Sequence, residues 1–69
     1  MSQKEKMLRE QIETIKRSIH LCETSDFKGG VAVKDDNGNV IRFVPFDKDT
    51  TALREALTET ENRLASLSA

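Results

Sequence analysis

His20 and Cys22 are the only histidine and the only cysteine in the chain. An imidazole two residues from a thiol is the raw material of a base-activated nucleophile, or of two ligands to one metal ion. The spacing defeats both uses. On a helix, residues two apart point about 200° away from each other, so the two side chains cannot share a proton or an ion. With no further His or Cys to complete a ligand set, a zinc site is excluded. A single cysteine also excludes an internal disulfide and fits a reducing compartment.

Asp35, Asn37 and Asn39 alternate as at the start of a calcium-binding loop. The rest of that loop is missing: Val40 stands at its sixth position, where glycine is required, and Phe46 at its twelfth, where a bidentate glutamate is required. Gly29-Gly30 lacks the Lys and Ser/Thr of a phosphate loop and reads as a joint. The many carboxylates fall on helix faces or in a turn, with no apolar pocket to shift a pKa. A core this small leaves little space for a pocket of ~300 Å³ or more. The residues therefore predict no catalytic, cofactor or metal site, and a protein that is not an enzyme.

Chemistry of this kind leaves recognition, and recognition depends on the elements that carry the surface. The chain has 69 residues, 36% of them hydrophobic and 33% charged, with three Phe as its only aromatics. That is one small domain with a small core and a margin of a few kcal/mol. A net charge of -1, spread evenly along the chain, gives no basic face for nucleic acid or acidic membranes. No apolar run approaches the ~18 residues of a membrane span. The charged N-terminus, MSQKEKMLREQIE, is unlike a secretory signal.

The stretch GGVAVKDDNGNVIRFVPF, residues 29–46, is the organising element. Period-two alternation around Asp36-Asn37-Gly38 predicts a β-hairpin at about 30–44, with Gly38 free to take a positive φ. A two-residue loop would pair Val33 with Arg42 and mix charge with aliphatic carbon on each face. A three-residue loop ending in a left-handed Gly38 pairs Val33 with Ile41 and Val31 with Phe43, and the alternation selects it. It makes Val31, Val33, Ile41 and Phe43 the oily side, and Ala32, Lys34, Val40 and Arg42 the wet side. Pro45 cannot donate to a ladder, so the second strand should end there or turn that position to an open edge. A lone hairpin is marginal in water, so the oily side needs a cover.

Two helices can supply it. Ser2 and Glu5 form a capping box, and Leu8, Ile12, Ile15, Ile19 and Cys22 then fall on one stripe, predicting a helix at about 2–24. Asp47 or Asp49 can cap a second helix at about 50–67, with Leu53, Leu57, Leu64 and Leu67 on its stripe and Ala56 and Thr60 filling in. Matching stripes suit an antiparallel pair. The predicted fold is α+β, a small α-β-β-α domain over residues 1–69 in which two antiparallel helices pack with one hairpin. Its core is built from Leu8, Ile12, Ile15, Ile19, Val31, Val33, Ile41, Phe43, Leu53, Leu57 and Leu64.

A helix, then VAVKDDNGNVIRF, then the lead-in DKDTT to a helix starting on Leu53, resembles the gpW family of head-tail joining proteins of tailed bacteriophages. The likeness covers about residues 8–64 and rests on element order, the V-x-V and aliphatic-x-Phe strands and chain length. It implies the same α+β fold and a structural role in the virion neck. A member would be made in the host cytoplasm, stay monomeric alone, and assemble as a ring, a homo-dodecamer, on the portal protein after DNA packaging. It would then offer a platform to a neck or tail stopper protein, with DNA passing through the ring but no sequence-specific nucleic-acid binding and no membrane contact. Family members can carry a C-terminal tail beyond the second helix, which has no counterpart after Ala69 here.

The candidate protein-interface residues are the hairpin's expected outer face and tip, Ala32, Lys34, Asp36, Asn37, Val40 and Arg42, with Phe27, Val44 and Phe46 near its base. An alternative from another class is a small inhibitor or adaptor of one host or phage protein, in the manner of anti-CRISPR proteins. A third is an oligomer in which the two helical stripes meet between chains.

Overall fold

The computed structural model describes residues 2–25 and 28–68. In chain order these form α1 (Gln3–Thr24), β1 (Gly30–Lys34), β2 (Val40–Pro45) and α2 (Thr51–Ser68). The molecule is elongated, 37 × 18 × 16 Å, and its long axis matches the length of about 33 Å expected for a 22-residue helix such as α1.

Helix α1 starts where the capping residue places it. Ser2 is extended and its hydroxyl accepts from the Glu5 backbone N–H at 3.2 Å. Leu8, Ile12, Ile15, Ile19 and Cys22 are all buried along one stripe. Ser18 is buried beside them, and its hydroxyl donates to the Thr14 carbonyl at 2.8 Å, so no polar group is stranded. At the start of α2 the Asp49 carboxylate accepts from both the backbone N–H of Thr51, at 3.1 Å, and its hydroxyl, at 2.5 Å. The first intrahelical bond runs from Arg54 N–H to the Thr50 carbonyl. Of the two aspartates expected as caps, Asp49 takes the role, two residues ahead of the first helical residue.

The helices are antiparallel. Arg54, early in α2, hydrogen-bonds Glu23 near the end of α1 at 3.1 Å. At the other end Arg9, Ile12 and Lys16 share a groove with Glu61, Leu64 and Ala65. The seam of α2 is made of Leu53, Ala56 and Thr60, all at or below 1% exposure. Thr60 carries its own solution for a buried hydroxyl, donating to the Ala56 carbonyl at 2.8 Å. Leu57 and Leu64, expected in the core, are half-buried on the flank of this seam, and Leu67 is exposed. The short side chains at 56 and 60 are what α1 packs against, so the longer leucines are displaced sideways.

The hairpin lies along α1 with its tip toward the helix N-terminus, where Lys4 reaches Asp36 at 3.9 Å. The side-chain amide of Gln11 donates to the Ala32 carbonyl at 3.3 Å. The three-residue turn forms as expected. Asp35 N–H bonds the Asn39 carbonyl, Gly38 N–H bonds the Asp35 carbonyl, and Gly38 has φ +87°, a value that favours glycine.

The faces beyond the turn differ from expectation. Lys34 pairs with Val40, but the next pair is Val33 with Arg42, followed by Ala32 with Phe43 and Val31 with Val44. One extra residue, Ile41, is accommodated in β2 as a β-bulge, and every later side chain changes face. Val44 is consequently in the core at 3% exposure with Val31 and Val33, while Ile41 and Phe43 are outside at 47% and 62%. The core thus runs through Ile15, Ile19, Cys22, Val31, Val33, Val44, Leu53 and Ala56, with Phe46 and Leu57 packed against it. β2 ends at Pro45, opposite Gly30.

Candidate protein-docking surface

The residues of chemical interest are apart in the fold as well as in the sequence. His20 is exposed on α1 and Cys22 is buried two positions on. Among the described residues no group of three or more His, Cys, Asp or Glu is placed to hold a metal ion. The spaces at the surface are open grooves. One of about 350 Å³ lies between α1 and β1, over Met7, Leu8, Gln11 and Ala32, and one of about 610 Å³ lies between the helices over Ile12 and Leu64.

Two carboxylates have perturbed acidity, and both serve structure. The backbone N–H of Asn39, chiefly, holds the Asp35 carboxyl below the ordinary 3.8; partial desolvation opposes it, and the Asn37 N–H, the Asn39 side chain and the positive charge of Arg63 assist. Both backbone bonds to Asp35 Oδ1 are 2.9 Å. Asp49 is lowered by the Thr51 hydroxyl and then the Thr51 N–H, against a smaller effect of desolvation. These are a turn anchor and a helix-start anchor.

What the surface offers is apolar area on the hairpin. Val40 at 60%, Ile41 at 47% and Phe43 at 62% exposure are consecutive or alternate residues of β2. Phe43 and Val40 are cross-strand partners of Ala32 and Lys34 on the outer face. Phe43 is held in place from below, since Gly30 presents no Cβ and the aromatic ring lies in the space one would fill. Pro45, also exposed, lacks an N–H at the end of the strand. The result is three large exposed apolar side chains along β2, Val40 and Phe43 on the outer face and Ile41 at the bulge between them, with a cationic Lys34 opposite Val40.

The residues expected at an interface divide accordingly. Ala32, Lys34 and Val40 share the outer face, and Asn37 is exposed at the tip beside a half-buried Asp36. Arg42 is on the inner face, half-buried and 3.7 Å from Glu59 of α2, and Val44 is in the core; the bulge at Ile41 moved both. Phe46 is half-buried against the core, with its N–H on the Gly29 carbonyl. Phe27 lies outside the described residues. Ile41 and Phe43 are the surface residues that alternation assigned to the core. The signal that marks them is β2 itself, VIRFVP, which is apolar on both faces and so does not identify its buried side.

Comparison of the chain with protein-family models, with curated proteins and with solved structures finds no match. No helix among the described residues is long and apolar enough to cross a membrane.

Proposed function

We propose that this chain is a non-enzymatic structural subunit that docks on a protein through the outer face of its hairpin, in the manner of a head-tail connector in the neck of a tailed phage. The observation that carries the docking role is the Val40–Ile41–Phe43 ridge. Taking such a side chain from full exposure to full burial is worth roughly 1.5–3 kcal/mol, and with these about half exposed roughly half of that gain is left unrealised on a domain with little stability to spare. The neck assignment adds the order α-β-β-α, the V-x-V and Ile-x-Phe strands and the likeness to gpW-type joining proteins.

The ridge is small. Three side chains offer on the order of a few hundred Å², well under the ~800 Å² per partner of a stable interface. A ring on a portal resolves the mismatch, because each copy is held by several weak contacts at once and gains stability by mass action. The chain alone stays monomeric under the same arithmetic.

The test is light scattering of the purified chain over a hundredfold concentration range, alone and with purified portal assemblies of tailed phages. A monomer that becomes a portal-bound ring supports the proposal. A variant carrying Val40→Asp and Phe43→Asp should keep its fold and lose portal binding. Wild-type binding by that variant overturns the assignment of the ridge, and a chain that forms a small oligomer indifferent to every portal overturns the neck reading.

A further inference from the structure

We infer that the hairpin has two registers, related by a one-residue slip of β2, and that the slip decides whether Phe43 or Arg42 stands on its outer face. The hydrophobic pattern does not pin the strand, because β2 carries Val44 inward and Val40, Ile41 and Phe43 outward. A hydrophobic pattern fixes register only where it singles out one face to bury. The turn does not pin it either. Its closing bonds between Asp35 and Asn39, followed by the Lys34–Val40 pair, are those of an unbulged hairpin, in which Val33 would next oppose Ile41 and Val31 would oppose Phe43. The slip begins beyond the turn, at Ile41.

Each register satisfies part of the sequence. The observed one buries Val44 and seats the Phe43 ring over Gly30. It also turns Arg42 inward, where its Nε and Nη2 are covered without an acceptor, while Glu59 approaches only Nη1. The slipped one exchanges these: Ile41 and Phe43 go in, Arg42 goes out to water, and Val44 is exposed. Its outer face then presents Arg42 and Val44 beside Lys34 and Val40, in place of Phe43. Such a slip withdraws Ile41 and Phe43 from the proposed docking surface without unfolding the domain. That consequence rests on the proposed function, whereas the two registers do not.

The test is NMR on the isolated full chain. Residues in non-hydrogen-bonded antiparallel pairs bring their Hα atoms close, so Ala32 contacts Phe43 in the observed register and Arg42 in the slipped one. Val44→Lys is tolerated only when position 44 faces out, and Phe43→Lys only when position 43 does. Val44→Lys should stay folded and replace the Ala32–Phe43 contact with Ala32–Arg42. Phe43→Lys should keep Ala32–Phe43, and should abolish the microsecond-to-millisecond exchange expected at wild-type residues 40–45. Val44→Thr, which keeps valine's shape, guards against simple unfolding by lysine and should raise the Ala32–Arg42 contact several-fold over wild type. A Val44→Thr chain that keeps only Ala32–Phe43, with no exchange in the wild type, overturns the inference. Loss of portal binding in Val44→Lys with retention in wild type ties the slip to docking; portal binding absent from both removes the neck reading and leaves the registers standing.

Discussion

The Phe43 ring lies across Gly30, in the space that a side chain at position 30 would need. A Cβ there would also stand 2.7 Å from the Val44 carbonyl oxygen, which is backbone and cannot swing aside. Gly30→Ala should therefore displace the ring and strain the strand pair, at a cost of about 1–3 kcal/mol. In a domain of this size that lowers Tm by roughly 4–8 °C per kcal/mol, readable by circular dichroism. A Tm unchanged within 1–2 °C would mean that Phe43 does not rest on Gly30 in solution.

Leu53 and Leu67 share a predicted stripe on α2, yet one is 1% exposed and the other 40%. Leu53→Ala should cost about 2–5 kcal/mol, as for other fully buried leucines, and Leu67→Ala within ~0.5 kcal/mol. Urea unfolding of the two variants separates them. Equal losses would place the last turn of α2 in the core.

That contrast shows what the residues alone disclose. The α1 stripe was legible because its large aliphatic side chains recur without interruption from Leu8 to Ile19. The turn was legible because Asn37 and Gly38 after Asp36 favour a bend, whereas the part of Asp35 in anchoring it shows only in the structure. The packing seam of α2 was partly hidden, since Ala56 and Thr60 are buried through being short while Leu57 and Leu64 are larger but peripheral. The hairpin faces were not legible. A bulge adds no distinctive residue, and a strand with Val40, Ile41, Phe43 and Val44 offers an apolar side in either register. The exposed apolar residues of β2 are hidden for the same reason: alternation assigns only Val40 of the three to the outer face.

Asp35 and Asp49 give the fold a dependence on pH. Backbone and hydroxyl donors hold both carboxylates below their ordinary 3.8, so the unfolded chain takes up protons at these sites before the folded one does. Their contribution is fully present above the unfolded value and is lost as pH falls through the lower folded values. Urea midpoints measured at pH 7, 4 and 3 should drop in the wild type, and the drop should be shallower for Asp35→Asn and Asp49→Asn. A wild-type slope from pH 4 to pH 3 no steeper than that of the variants would show that neither carboxylate is held by these bonds.

Arg42 is the residue whose position is hardest to reconcile with its chemistry. Its stem lies under the hairpin opposite Val33, and Nε and Nη2 are covered without acceptors, although part of the side chain remains exposed. A covered donor left unpaired costs roughly 1–3 kcal/mol, and the exposed ion pair with Glu59 returns less than ~1 kcal/mol. Methionine keeps the length and flexibility of the stem and removes the donors. Arg42→Met should therefore raise stability by about 1 kcal/mol, the low end of that range because the guanidinium is partly solvated. Chemical denaturation measures the gain, and the Ala32–Phe43 contact should strengthen with it, since an inward Arg42 is a cost that the observed register carries and the slipped one does not. Destabilisation by Arg42→Met would mean that the guanidinium is satisfied in solution and that the inner face accepts it.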